Sequence, residues 1–138
     1  MGKTAVTLTE VQERILKYCL EKSGAFACHP FGDGSLIIKV KAPSHERTRI
    51  FVQLFELHGE PMTTLNCDLM MGEFYRSLYT GKVVCGYHCP PVQQPYFNTI
   101  CLDGSISEDE FLRMSDHAYD AVVAKLPRYM HGELLMKK

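Results

Sequence analysis

The sequence predicts an α+β fold in two layers, an antiparallel sheet with helices on one face. Three observations lead there. Segments that open on a helix cap and continue with apolar residues three and four apart alternate with short apolar runs of period two. The turns between those runs are short, which suits antiparallel neighbours; parallel ones need a long crossover. The chain has 138 residues, the length of one ordinary domain, so helices and strands must share a single core over residues 1–138.

Taken in order, Thr7-x-x-Glu10 has the form of a capping box, in which the hydroxyl takes an orphan N–H and the carboxylate reaches back. Leu8, Val11, Ile15, Tyr18 and Cys19 follow at helical spacing, and Gly24 is placed to end the helix near Ser23. Phe31-Gly32-Asp33-Gly34 is a turn signal, followed by a strand over 35–40. Residues 42–48 are polar and include Pro43, a loop or hairpin tip. Residues 49–57 form the strongest strand signal, with Ile50, Val52, Leu54 and Glu56 on one face and Phe51, Gln53, Phe55 and Leu57 on the other. Both faces are largely apolar, which predicts a central strand. His58-Gly59-Glu60-Pro61 turns the chain into a strand over 62–67.

Asp68 then caps a short helix over 69–79, closed by Gly81. A short strand is expected over 83–87. The run 89–95 holds three prolines, which bars it from a central strand. Another strand, 97–102, ends at Asp103-Gly104. Ser107-Glu108-Asp109-Glu110 opens the last helix with a second capping box, and three acidic residues in its first turn suit the helix dipole. Pro127 ends this helix or begins a short terminal one through Leu135.

Net charge is −1 and the isoelectric point is near 6.6. Strong non-specific DNA binding relies on a surplus of Lys and Arg, so this balance argues against it while leaving room for a local basic patch. The start Met1-Gly2-Lys3-Thr4 shows no apolar leader, and no apolar run approaches twenty residues. The expected location is therefore cytoplasmic, without a membrane, and the six cysteines are expected as free thiols.

Cys85-x-x-His88-Cys89, with Cys28-His29, is the most chemical-looking cluster. Its spacings do not form the two compact ligand pairs of a structural zinc site, so no metal is expected. A nucleophilic cysteine at 28 or 89 lacks an orienting acid and an oxyanion hole, so no catalytic residue is assigned and no cofactor is expected. Asp116 and Asp120 read as a solvated face, with His117 at the sheet edge. Asn98 inside an apolar strand must satisfy its amide, and the expected role is to tie the 86–88 segment to its neighbour.

Gly86-Tyr87-His88, Phe97-Asn98-Thr99 and Leu102-Asp103-Gly104 resemble the MmcQ/YjbR family of small bacterial domains. His29-x-Phe31-Gly32-Asp33, Leu65-Asn66-Cys67-Asp68, Asp116-His117-x-Tyr119 and Val122-Val123-Ala124-Lys125-Leu126-Pro127 extend the resemblance from Thr7 to Pro127. It implies a curved antiparallel sheet similar to that of secretion-chaperone-like domains, a "double wing" arrangement associated with DNA binding, and no enzymatic activity. The chain departs from the pattern at 89–95, a longer link without Lys or Arg, and at Tyr96 and Phe97, where His and Trp are common.

Lys39, Lys41, Arg47, Arg49, Lys82, Lys125 and Arg128 form one stripe if the first hairpin lies near the end of the last helix. With Tyr87, Tyr96 and Phe97 this is charge plus stacking, the composition of a nucleic-acid surface. The other reading is a solvated surface with both signs interspersed. The leading expectation is a non-enzymatic binding domain that holds DNA weakly and salt-dependently through Lys39, Lys41, Arg47 and Arg49, with Tyr87 and His88 at the groove. The alternatives are a protein-interaction or chaperone-like module, monomeric or homodimeric, and a thiol- or metal-dependent enzyme.

Overall fold

A computed structural model describes residues 8–28, 35–43, 48–86, 90–126, 128, 131, 132 and 134. Helix α1 spans Glu10–Leu20 and strand β1 Ala25–Cys28. Strands β2 (Leu36–Val40), β3 (Arg49–Leu57) and β4 (Glu60–Asn66) follow, then α2 (Leu69–Leu78) and β5 (Val83–Cys85). A single 3₁₀ turn at Gln94–Tyr96 leads into β6 (Phe97–Cys101), and α3 runs over Glu108–Ala124. All six strands form one antiparallel sheet in the order β1-β2-β3-β4-β6-β5. The α+β class and the central position of 49–57 are as the sequence predicts.

The helices share one face of the sheet. Ile15 and Cys19 of α1, Tyr75 of α2, and Phe111, Met114, Ala118 and Val122 of α3 join Leu36, Ile38, Val40, Val52, Leu54, Leu65, Val83 and Ile100 in one buried cluster. Burying that much apolar surface is the main stabilising term. A buried amide fixes the approach of α1: Gln12 Nε2 donates to the carbonyls of Phe55 (3.0 Å) and Met62 (3.1 Å) on the β3–β4 hairpin. On the outer side of the same helix, Asp116 of α3 accepts from the Tyr18 hydroxyl and pairs with Lys22. Asp116 is thus an α1–α3 tie and not the free solvated side chain the sequence suggests, while Asp120 is exposed.

Several boundaries move for identifiable reasons. The capping box of α1 is Thr9 with Gln12, two residues after the one expected at Thr7, which lies outside the described residues. Glu10 is exposed, whereas position 12 faces two carbonyls and needs a donor, which a carboxylate lacks. The helix ends at Leu20 with Glu21 as its C-cap; Gly24, at φ +79°, makes the turn into β1, where a Cβ would meet the Lys41 carbonyl oxygen at 2.7 Å. Ser107 caps α3 by accepting from the Glu110 amide, but the Glu110 side chain turns to Arg113 instead of closing the box. Asp68 caps α2 as expected, accepting from the Met71 amide at 2.7 Å. Strand β1 has no counterpart in the sequence reading.

Strict alternation fails in β3. Across the step from Ile38 to Lys39 in β2, the partner in β3 jumps from Val52 to Ile50, so Phe51 is the extra residue of a bulge. Phe51 therefore joins Val52 in the helix-side core and meets the Tyr119 ring edge-on, 5.6 Å between centroids. The Phe31–Gly34 turn and Pro127 lie outside the described residues; Arg128, His131, Gly132 and Leu134 take helical backbone.

Candidate functional site

The bulge has a consequence at the end of the sheet. Pairing of β3 with β4 stops at Val52 opposite Leu65. Arg49 and Ile50 of β3, and Asn66 of β4, stand beyond that last pair, and the Asn66 amide reaches across, donating to the Ile50 carbonyl at 3.4 Å. The parted strands open a pocket of about 380 Å³ lined by Lys39, Thr48, Arg49, Ile50, Asn66, Gln93, Tyr96, Phe97 and Lys125. That volume lies in the range of small-ligand sites.

Its electrostatics are one-signed. Three cations line it, Lys39 from β2, Arg49 from β3 and Lys125 from the C-cap of α3, and no carboxylate is among the described lining residues. None of the three takes part in an ion pair among the described residues. Lys125 Nζ stands over the Tyr96 ring, 5.4 Å from its centroid, an arrangement that holds the ammonium against one face of the ring. Tyr96 is 37% exposed. Asn66 is buried, and its Oδ1 finds no donor among the described residues.

Of the residues expected at a nucleic-acid surface, Lys39 and Arg49 line this pocket. Lys41 does not; its ammonium lies against the carbonyls of Ala42 (3.3 Å) and Pro43 (3.5 Å). Arg47, Tyr87 and His88 lie outside the described residues, as do His29 and Cys89 of the cysteine–histidine cluster. Lys125, Tyr96 and Phe97, also expected at a basic, aromatic surface, are brought by the structure to the hairpin residues. Thr48 and Gln93 are not marked by any site signal in the sequence, and Asn66 only as part of the Leu65-Asn66-Cys67-Asp68 resemblance, because the parting of β3 and β4 is what brings them to a common space.

Asn98 ties β6 to α2: its Oδ1 accepts from Arg76 Nη1 at 2.6 Å and its Nδ2 donates to the Gly72 carbonyl at 3.5 Å. Of the 86–88 segment it is expected to hold, Tyr87 and His88 lie outside the described residues. His117 packs on Tyr75 of α2, 6.1 Å between ring centroids. Cys19, Cys28, Cys67, Cys85 and Cys101 are free thiols. Burial pushes the Cys19 thiol up to about 12 and the Cys67 thiol up to about 11, the opposite of what activates a nucleophilic cysteine. Among the described residues, no three His, Cys, Asp or Glu side chains are grouped closely enough to hold a metal ion, and no helix is long and apolar enough to cross a membrane.

Compared with known proteins, the chain matches no protein-family profile and no curated protein. Among solved structures it is similar to the Deinococcus radiodurans protein DR2400, described as carrying a DUF419 domain. The two superpose with a TM-score of 0.77 over 97% of this chain and 91% of that one, at 21% identity. A Pseudomonas syringae protein superposes with a TM-score of 0.59 over 80% of this chain and 97% of its own, at 12% identity. At such identities the likeness is one of fold, the six-stranded antiparallel sheet with its helices.

Proposed function

We propose that the chain is a non-enzymatic binding domain of the MmcQ/YjbR type that holds single-stranded nucleic acid at the basic pocket. The family part of this reading draws on the sequence motifs and on the DUF419 neighbour, DUF419 being related to MmcQ/YjbR. The observation that carries the binding part is the convergence of Lys39 and Arg49, from neighbouring strands, with Lys125, from the end of α3, around Tyr96 and Phe97 with no acid among the described lining residues. Phosphates supply the negative charge such a group attracts, and an unstacked base supplies the flat face that Tyr96 can cover. A duplex keeps its bases stacked on one another and offers this ring no base face. A pocket of about 380 Å³ suits one nucleotide of a strand.

The test is fluorescence anisotropy with labelled single- and double-stranded DNA of one sequence across a salt series. Micromolar binding is expected, tighter for the single strand by about tenfold and weakening steeply with salt. A Lys39→Glu/Arg49→Glu chain that binds as well as the parent sinks the assignment to this pocket. No binding even at low salt sinks the reading itself.

A further inference from the structure

The outer face of α2 carries an apolar ridge, flanked by exposed Glu73 and Ser77, where a solvated helix should be polar throughout. Met70, Phe74 and Leu78 recur four residues apart and form one ridge, at 78%, 52% and 54% exposure, with Leu69 beside it at 46%. The opposite side of the helix is buried through Gly72 and Tyr75. Phe74 is also held in place, its ring edge-on to Tyr75 at 5.2 Å between centroids, so it stands ready for a partner without much further loss of side-chain freedom.

We propose that α2 is a homodimer interface, packing antiparallel on α2 of a second copy about a two-fold axis at Phe74. A two-fold contact must be its own complement, and this ridge is. With Phe74 of one copy on Phe74 of the other, Met70 of each meets Leu78 of its partner, apolar against apolar at every step. The ends agree in charge: exposed Asp68 at the start of α2 comes beside the end of the partner's helix, where exposed Lys82 stands just past the turn. A parallel pairing would bring like ends together.

The area is adequate for a modest dimer. At the exposures above, the three ridge side chains leave roughly 300 Å² of apolar surface in water, the size of the main patch of an ordinary monomer. Two copies burying it remove about 600 Å² of apolar area, and a polar rim brings the total to about 1,000 Å², the lower bound of a specific interface. None of these residues lines the basic pocket, so self-association and ligand binding are separable.

Sedimentation equilibrium of the full chain over about 5–200 µM reads this directly, as mass action requires. The expected result is a reversible monomer–dimer equilibrium, with the dimer dissociation constant raised at least tenfold by Met70→Glu. Met70 is so exposed that this substitution leaves the monomer's core intact, and circular dichroism checks it. A Phe74→Cys chain under mild oxidation should form a disulfide between the two copies of residue 74, identified by peptide mapping. A parent chain that is monomeric throughout overturns the proposal, as does a dimer indifferent to Met70→Glu or a failure to link through position 74.

Discussion

Removing one charge from the pocket should change how steeply binding depends on salt, not only how tight it is. Arg49 is the best place to do so, because it is exposed at the start of β3 and makes no ion pair among the described residues. Arg49→Gln should therefore leave stability within about 0.5 kcal/mol of the parent. If each of the three lining cations neutralises one phosphate of a single strand, log K falls against log salt with a slope of about −2.1, about 0.7 per phosphate. Arg49→Gln should reduce the slope to about −1.4. Between about 50 and 200 mM salt the parent then weakens about 18-fold and the variant about 7-fold. Anisotropy titrations with a labelled single-stranded oligonucleotide measure both. Arg14→Gln is the matched control: the same charge is removed, but Arg14 pairs with Glu108 between α1 and α3 and does not line the pocket. A slope unchanged in Arg49→Gln, or lowered equally in Arg14→Gln, would refute the reasoning.

Four further outcomes follow from the fold. Gln12→Leu removes three hydrogen bonds, those to Phe55, Met62 and Thr9. At about 1 kcal/mol each the loss is about 3 kcal/mol, or about 10 °C in Tm for a chain of 138 residues by calorimetry; a shift under 3 °C is inconsistent with this role. Gly72→Ala should destabilise despite alanine's advantage of about 1 kcal/mol within a helix, because its Cβ would stand 2.8 Å from Cys67 Sγ and 3.2 Å from the Pro95 carbonyl; urea unfolding decides the sign. Cys85 is exposed while Cys19 and Cys67 are buried, so iodoacetamide at pH 8 should label Cys85 well before the other two. Burial raises the Cys19 thiol from 9.0 to about 12 in the folded chain. Above pH 9 the unfolded state therefore holds fewer protons, so the stability this thiol contributes is complete below pH 9 and is lost as pH rises toward 12. A urea midpoint that does not fall between pH 9 and 10.5 contradicts that.

The sequence by itself determined what depends on near neighbours. Asp68 and Ser107 cap their helices because a cap needs only the next three residues. Strands over 49–57 and 62–67 follow from period-two patterning, and with the short turns they settle an antiparallel α+β class; the expected turn at 58–61 proves tighter, with Glu60 and Pro61 already paired in β4. Composition and order also placed Lys39, Arg49, Lys125, Tyr96 and Phe97 among the candidates for a basic, aromatic surface.

What only the tertiary structure decided involves residues far apart in the chain. Four residues at 25–28 become a strand because β2 offers an open edge, not because their own pattern demands it. Strand β6 inserts between β4 and β5, an order no local signal encodes. The bulge at Phe51 depends on the register with β2, and it breaks the alternation that the sequence alone suggests. The candidate site inherits this dependence: three cations and two aromatic residues share a pocket because β3 and β4 part beyond Val52 and Leu65 while the end of α3 lies over the gap. Charges on different elements acquire a common field only once the fold brings them to one space.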